Sequence, residues 1–560
     1  MTKMTGKRAL LEQLVADGVR HIFGNPGTTE QAFQDLLQEF PGITYVLCLH
    51  EGVAVSMADA YARATGRPAF VQLHIAPGLG NAMGMLYNAH TSHSPLVVYV
   101  GQSATEALFQ EPLLSADLVA MAGPVSKWAV QVDHAADIPQ AVRRAMDTAA
   151  EPPRGPTVLA IPIDVMEETA DVDVQPTAFT RWAVHPDPDA LDEAAELLAA
   201  SRSPLVVLGD GVSLSGAQDE AAALAEELGA PVWLGYSTEV NIRPDHPHLA
   251  GTLPFTSVSA PRVTDDLLAG HDAVLVLGSP VFRFIFPRPG SPVPPGPRVV
   301  QVDLDSWELG KNTPGVLGIR GDVKVAAAGL LDRLRAAGVP GAAERGREVS
   351  AAVRDARLGR LAADDALTVP ADGPMPVAHA MRELAAAVPA DAAIFEEAIT
   401  SSAAFSRHVM TVAGRYFRAR GGGIGPGIPG AVGLKLAMPD RPVLGVVSDG
   451  SSLYAITALW TAAHHEIPVV WVVINNGSYR ILKENLVEYL GPDLPGRRFV
   501  ELDLDRPALR FDDIARAFGV HGERVERIAE LRPAIERALA LNRPALVEIV
   551  VAGKIGDATP

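Results

Sequence analysis

Three doubly wound parallel-sheet α/β domains in tandem are the fold class this sequence predicts, on three observations. Its 560 residues exceed what one hydrophobic core organises, so about three domains is the natural division. Short apolar runs alternate with amphipathic helical patterns along most of the chain, as expected for parallel strands whose connecting helices cover both faces of a sheet. The alternation breaks twice, at a polar, Pro-containing stretch and at a charged, Ala-rich one, and these breaks divide the chain into three blocks.

The first block, residues 1–165, opens with a helix whose Leu10, Leu11, Leu14 and Val15 share one face. Its strand-like runs are HIFGNPG, TYVLCLH, PAFVQLH, PLVVYVG and PTVLAIPID. Residues from about 166 to 190 read as a linker. The second block, 188–340, carries PLVVLGDG, PVWLGY, AVLVLGS and RVVQVDLD. A helix and a connector are expected between 340 and 373. The third block, 370–555, carries AAIFEEA, RYFRA, PVLGVVSDG, PVVWVVINNGS and PALVEIVVA. Three blocks of similar size suggest one architecture used three times.

Composition removes several function classes. With 48% hydrophobic and 20% charged residues the chain is ordinary for a soluble globular protein. A net charge of −19 with no Lys/Arg block argues against nucleic acid or an anionic membrane surface as the main partner. Cys48 is the single cysteine, so neither an internal disulfide nor a cysteine zinc cluster is available. No apolar run approaches 18 residues and the N-terminal stretch is too short for a signal peptide, so a cytoplasmic location is the expectation.

The stretch VVSDGSSLYAI, 446–456, is a buried-looking strand that ends on an acid. Asp449 and Ser451 suit a helix N-cap, and Asp-Gly with a later Asn-Asn suits two plain turns. The spacing supports more. Between Gly450 and Asn475-Asn476 there is room for one helix and the strand IPVVWVVI, so Asp449 and Asn476 fall at the carboxyl ends of successive strands. Open α/β sheets bind ligands at that edge. A carboxylate, an amide oxygen and a backbone carbonyl are hard donors suited to Mg²⁺ or Ca²⁺, and a helix starting there favours an anion. Glu51, just after TYVLCL, has the plain reading of an acid placed favourably in a first helical turn. The run GGGIGPG resembles a dinucleotide fingerprint, but its spacing suits that use poorly.

Taken together and in this order, GNPGTTE, Glu51, LHIAPGLGNAMG and SDG…NNGS resemble the thiamine diphosphate-dependent enzyme family of 2-oxo acid decarboxylases and acetolactate synthases, most of all its benzoylformate decarboxylase branch. The resemblance spans essentially the whole chain. It implies a pyrimidine-binding domain at 1–165, a central domain at 188–340 and a diphosphate-binding domain at 370–555. It implies thiamine diphosphate and Mg²⁺ as cofactors, with the metal on Asp449, Asn476 and the Ser478 carbonyl. Gly450, Ser451 and Thr400 are then cofactor-binding, Gly422 and Ile424 fix and bend the cofactor, and Glu51 hydrogen-bonds its aminopyrimidine ring as an acid–base partner.

The same resemblance makes His74 and Thr28 catalytic and pocket residues, Thr28 standing where that branch carries a serine that contacts the substrate carboxylate. Ile285 and Ile481 complete the expected pocket. Without the resemblance, His74 at the end of an apolar run reads as structural, and Thr28-Thr29-Glu30 as turn and cap. His90, His93, His464 and His465 are expected to be structural. One departure stands out: Ile285, between Phe284 and Phe286, occupies the position of the branch's second catalytic histidine, and isoleucine transfers no proton. The resemblance implies a decarboxylase with carboligase ability, acting on a 2-oxo acid and joining an aldehyde acceptor. Its alternatives are a dedicated carboligase or C–C lyase of acetolactate synthase or 2-hydroxyacyl-CoA lyase type, a flavin-dependent oxidase, and a catalytically silent cofactor-binding protein. The central domain, whose LGDGVSLSGA is a glycine turn that demands no nucleotide, is expected to lack FAD. Glu51 and Asp449 are expected to serve one cofactor across a subunit interface, in a homodimer or homotetramer.

Overall fold

The structure, a computed structural model, describes residues 1–181, 183–494, 496–553 and 555. Three six-stranded, all-parallel sheets carry it, and helices flank each of them.

Strands are numbered along the chain. The first sheet uses β2 (His21–Gly24), β3 (Thr44–Leu47), β4 (Ala69–Leu73), β5 (Leu96–Gln102), β6 (Trp128–Gln131) and β7 (Thr157–Pro162), in the order β3-β2-β4-β5-β7-β6. Outside it, β1 (Thr2–Thr5) pairs antiparallel with β8 (Thr169–Val172). The second sheet has β9 (Pro204–Leu208), β10 (Val232–Leu234), β11 (Leu249–Thr252), β12 (Ala273–Leu277), β13 (Arg298–Asp303) and β14 (Leu317–Arg320), ordered β11-β10-β9-β12-β13-β14. The third has β15 (Ala393–Glu397), β16 (Tyr416–Arg418), β17 (Val443–Ser448), β18 (Val470–Asn475), β19 (His521–Val525) and β20 (Ala545–Val550), ordered β16-β15-β17-β18-β20-β19.

Written by position, the first and third sheets share the order 2-1-3-4-6-5, whereas the central one is wound 3-2-1-4-5-6. The architecture is used three times, but one winding is used only twice. A doubly wound sheet opens a crevice where the connections change direction, and ligands sit there at the carboxyl ends of the strands. In the first sheet that point lies between β2 and β4, and in the third between β15 and β17.

The segment after residue 165 differs from the linker expected there. A short helix, Ile163–Glu167, and β8 still belong to the first domain, and β8 closes it by pairing with β1. Only one residue of this two-stranded ribbon, Val172, is buried, so it lacks the apolar alternation that marks a strand. The charged stretch after 340 is a helix, Ala342–Asp365, with only Asp364 buried.

The first and third domains share a core. Helix Glu51–Thr65 lies against helix Gly427–Ala437 so closely that a Cβ at Gly433 would overlap the Met57 carbonyl. Behind that contact, Trp471 of β18 is fully buried and donates its Nε1–H to the Ile428 carbonyl at 3.1 Å. Truncating such a ring costs about 3–5 kcal/mol, so it is one of the anchors that hold the third sheet against this helix.

Candidate active site

At the carboxyl edge of the first sheet, Glu51 is the first residue of its helix and is 5% exposed. Two side-chain amides hold its carboxylate: Asn81 donates to Oε2 at 3.0 Å and Asn25 to Oε1 at 3.4 Å. Asn25 is itself fixed, because Gln72 donates to its carbonyl at 3.2 Å and Gln72 is bonded by the Tyr45 hydroxyl. Gly78 leaves room for the acid, since a Cβ there would lie 3.0 Å from Oε1.

His74 follows β4 at the crevice. Its Nδ1 lies 2.9 Å from Oε2 of Glu30, a carboxylate with no exposed surface, and Thr29 donates to the other Glu30 oxygen at 2.5 Å. Burial pushes the Glu30 carboxyl above its usual range, against the Thr29 and His74 bonds. With Nδ1 engaged, Nε2 is the His74 atom left to face a ligand. Gly27 permits this arrangement, because a Cβ there would overlap the imidazole. Thr28 is exposed beside it, at the start of the turn Thr28–Glu30. The next residue after His74, Ile75, has φ +38°, a conformation that costs a β-branched residue about 1–3 kcal/mol.

The third sheet supplies a different set. Asp449 directly follows β17 and is 2% exposed. The helix cap is Ser448, not Asp449. The Asp449 carboxylate instead accepts the amides of Gly450 at 2.8 Å, Asn476 at 2.9 Å and Gly477 at 2.7 Å, which clamps the ends of the adjacent β17 and β18 together. Burial pushes its carboxyl up against these donors. Beside it, Asn476 Oδ1 is buried and takes no hydrogen bond among the described residues. A buried polar atom left without a partner carries a cost unless a ligand meets it. The Ser478 hydroxyl turns away to the Leu502 carbonyl at 2.9 Å. Gly450 packs under Tyr479, where a Cβ would come within 2.7 Å of the ring. Ser451 is buried and receives the Ser448 hydroxyl at 2.9 Å.

Across the β15–β17 crevice, Thr400 sits half-buried in the turn Ile399–Ser401, and Ile399 is again a β-branched residue at positive φ, +49°. Gly422 and half-buried Ile424 lie on the loop between β16 and helix Gly427–Ala437; Gly421, Gly422 and Gly425 have φ values of +80°, +92° and +117°, which explains the glycines. Glu397, fully enclosed at the end of β15, holds this loop by accepting the amides of Gly425 at 2.8 Å and Gly427 at 2.7 Å. Burial pushes its carboxyl up to about 8, against those two donors. Ile481 is half-buried in helix Arg480–Leu490. Ile285 is 61% exposed; its amide bonds the Phe255 carbonyl at 2.9 Å, the Phe255 ring meets Tyr236, and Tyr236 accepts from the Gly421 amide at 2.8 Å. The Ile285 loop therefore neighbours the third-domain group.

Within one chain the two groups stand apart. Arg63, twelve positions along the helix from Glu51, donates to the Arg418 carbonyl at 2.9 Å, next to the glycine loop. At 1.5 Å per residue this puts Glu51 about 18 Å from that end. Near Glu51, Leu47 bonds His465 and Thr461 instead, each at 2.9 Å. Helix Ile75–Thr91 repeats the arrangement: Gly78 and Asn81 touch Glu51, and Asn88 touches Gly423. Thr28, Glu51 and His74 lie at the edge of the first sheet, and Thr400, Gly422, Ile424, Asp449, Gly450, Ser451, Asn476 and Ser478 follow strands of the third, with no hydrogen bond among the described residues joining the two groups.

The residues that orient these groups, Glu30, Asn25, Asn81, Asn88 and Glu397, were not singled out by sequence. Asn25 and Glu30 lie in GNPGTTE and Asn81 in LHIAPGLGNAMG, which is the signal they left. The LGDG motif of the central domain is structural. Asp210 accepts the Thr238 amide at 2.9 Å and its hydroxyl at 2.7 Å, the Glu239 amide at 3.1 Å and Asn241 Nδ2 at 3.2 Å, and pairs with buried Arg420 at 3.1 Å. Arg420 also donates to the Ser92 carbonyl at 2.5 Å, so this ion pair joins all three domains. His90 and His93 are half-buried, burial pushes both imidazoles below their usual range with Arg420 adding to the effect at His93, and His465 serves the Leu47 amide.

Comparison with known proteins agrees with this layout. Residues 4–121, 191–330 and 399–549 match the N-terminal thiamine pyrophosphate-binding, central and C-terminal thiamine pyrophosphate-binding domains of the thiamine pyrophosphate enzymes. The chain is 37% identical to a benzoylformate decarboxylase of Pseudomonas aeruginosa, over 97% of this chain and 98% of that one. It is 29% identical to a sulfoacetaldehyde acetyltransferase of Alcaligenes xylosoxydans xylosoxydans, over 99% and 94%. The solved thiamine diphosphate-dependent 4-hydroxybenzoylformate decarboxylase of Rhodococcus jostii RHA1 superposes with a TM-score of 0.83 at 31% identity, covering 98% of this chain and all of that one. Three matched domains in order and full-length relatives leave one assignment: the chain belongs to the thiamine pyrophosphate enzymes and is a thiamine diphosphate-dependent lyase or carboligase.

Proposed function

We propose that the protein is a Mg²⁺-dependent 2-oxo acid decarboxylase with carboligase ability, related in substrate class to the benzoylformate decarboxylases, and that it works as a dimer or larger assembly. The observation that carries this reading is the pairing, at one crevice, of a buried and doubly amide-held Glu51 with a His74 whose Nε2 is the free end of a Glu30–His74 pair. The unpartnered Asn476 Oδ1 beside buried Asp449 fits a hard divalent cation.

When bound, thiamine diphosphate supplies the nucleophilic carbon that adds to a carbonyl and takes up the electrons released with CO₂. The chain's residues bind, orient and move protons. Asp449, Asn476 Oδ1 and the Ser478 carbonyl would hold Mg²⁺, with Gly450, Ser451 and Thr400 at the diphosphate. Gly422 and Ile424 would support the pyrimidine side. Glu51, held by Asn81 and Asn25, would share a proton with a ring nitrogen of the bound cofactor. Thr28 offers a hydroxyl to the substrate carboxylate, and His74 gives or takes a proton at Nε2. Ile285 and Ile481 present apolar walls that exclude water. Since Glu51 and the glycine loop lie at opposite ends of two helices, a cofactor touching both is served by two chains.

A dedicated carboligase or C–C lyase is the second reading. What favours it is Ile285: with no proton donor there, release of an aldehyde is slowed and capture by a second carbonyl gains. The test is a panel of aromatic and aliphatic 2-oxo acids with Mg²⁺ and thiamine diphosphate, following CO₂ and identifying products with and without an added aldehyde. CO₂ release from at least one aromatic 2-oxo acid is expected. Ligated products with no free aldehyde from any acid select the second reading, and no turnover with any pair sinks both.

A further inference from the structure

The loop that carries Gly422 and Ile424 is held at Gly423, from outside its own domain, by one side chain. Asn88, 5% exposed near the end of helix Ile75–Thr91, accepts the Gly423 amide at 3.0 Å and donates to the Gly423 carbonyl at 2.8 Å. Both backbone polar groups of one residue are thus satisfied by one planar amide, a match that neither a carboxylate nor a hydroxyl reproduces in the same place. The fit is tight: a Cβ at Gly421 would overlap Asn88, and one at Gly423 would lie 2.9 Å from its Oδ1. The other restraints are Tyr236 on Gly421 and Glu397 on Gly425 and Gly427. Gly423 lies between them, next to Gly422 in its left-handed conformation.

We propose that Asn88 is a positioning residue for the cofactor: it fixes the Gly422–Ile424 peptides in the conformation that receives the pyrimidine side of thiamine diphosphate, and so raises cofactor affinity without touching the cofactor. This rests on the reading of that loop given above. The helix that carries Asn88 also carries Asn81, which orients Glu51 about 10 Å away along the helix axis. One rigid element thereby sets both groups that the chain contributes.

The test compares wild type, Asn88→Ala and Asn88→Asp. Asparagine and aspartate have the same shape, but aspartate places oxygen lone pairs against the Gly423 carbonyl in place of the donor. Thiamine diphosphate affinity, measured by calorimetry with Mg²⁺ present, is expected to fall about 10-fold or more in both variants, the scale of two lost hydrogen bonds. In protein without cofactor, the Gly423 amide is expected to lose hydrogen-exchange protection in Asn88→Ala while the amides of β17 and β18 keep theirs. Wild-type affinity in Asn88→Asp, or unchanged Gly423 protection in Asn88→Ala, overturns the proposal. Loss of protection spread equally over β17 and β18 also overturns it, since the role is then general stability. If wild type itself binds no thiamine diphosphate, the reading of the loop fails before Asn88 is tested; if wild type binds and the variants bind as well, only the proposal fails.

Discussion

Two aspartates share a local pattern and differ in everything around them. Asp210 follows β9 and precedes Gly211; Asp449 follows β17 and precedes Gly450. Each ends a strand inside a six-stranded parallel sheet and faces its carboxyl edge. Around Asp210 every neighbouring polar group has found a protein partner, and the cation it meets is Arg420. Burial pushes its carboxyl up, but Arg420 and the Thr238 bonds outweigh this and hold it below the usual range. Around Asp449 the donors are amides only, no protein cation is paired with it among the described residues, its carboxyl is pushed up, and Asn476 Oδ1 is left bare. The same short motif is a domain clamp in one place and the proposed cation site in the other, and the difference is set by residues far away in sequence.

The largest expected effect comes from breaking the open site. Asp449→Ala removes the only charged ligand of the proposed metal site, so thiamine diphosphate binding with Mg²⁺ should become too weak to measure by calorimetry while the far-ultraviolet circular dichroism stays unchanged. Retained tight binding would move the metal elsewhere. Glu51→Gln tests the other half of the site. The amide fills the space but shares no proton, and turnover at saturating cofactor should fall about 10²–10⁴-fold with affinity largely kept. A near wild-type rate contradicts its role.

Breaking the clamp should act on stability instead. Asp210→Ala leaves Arg420 buried with Glu239 as its remaining carboxylate partner, and is expected to cost about 3 kcal/mol. Thermal or urea unfolding reads this, and a variant as stable as wild type but unable to bind cofactor would reverse the comparison. Ile285→His should do least. It adds a proton donor beside the pocket, so with benzoylformate and excess aldehyde the product ratio should shift toward free benzaldehyde, while CO₂ release changes less than about tenfold. An unchanged ratio means Ile285 does not face the reacting atoms.

Sequence pattern placed Asp449 and Asn476 where apolar strands run into polar residues, whereas Glu51 after β3 and His74 after β4 became candidates through the family resemblance. Sequence pattern reached the sheets through the same apolar runs. What it missed lies in long-range pairings. Glu30 finds His74 across 44 residues, Glu397 finds Gly425 across 28, and Asn88 finds Gly423 across 335. Each of these residues alone looks like an ordinary helix or strand polar group. The strand order of the central sheet was likewise hidden, since apolar runs mark strands but not their neighbours. The β1–β8 ribbon escaped because it buries too little to need a pattern.

The central claim is that one chain's Glu51 group and Asp449 group act in different active sites. Mixing inactive Glu51→Gln with inactive Asp449→Ala under conditions that exchange subunits tests it directly. In a mixed dimer one site collects both lesions and the other is wild type, so random exchange should restore roughly a quarter of wild-type activity. Subunit exchange confirmed by mass spectrometry with no activity restored would place both groups in one chain's site and contradict the account.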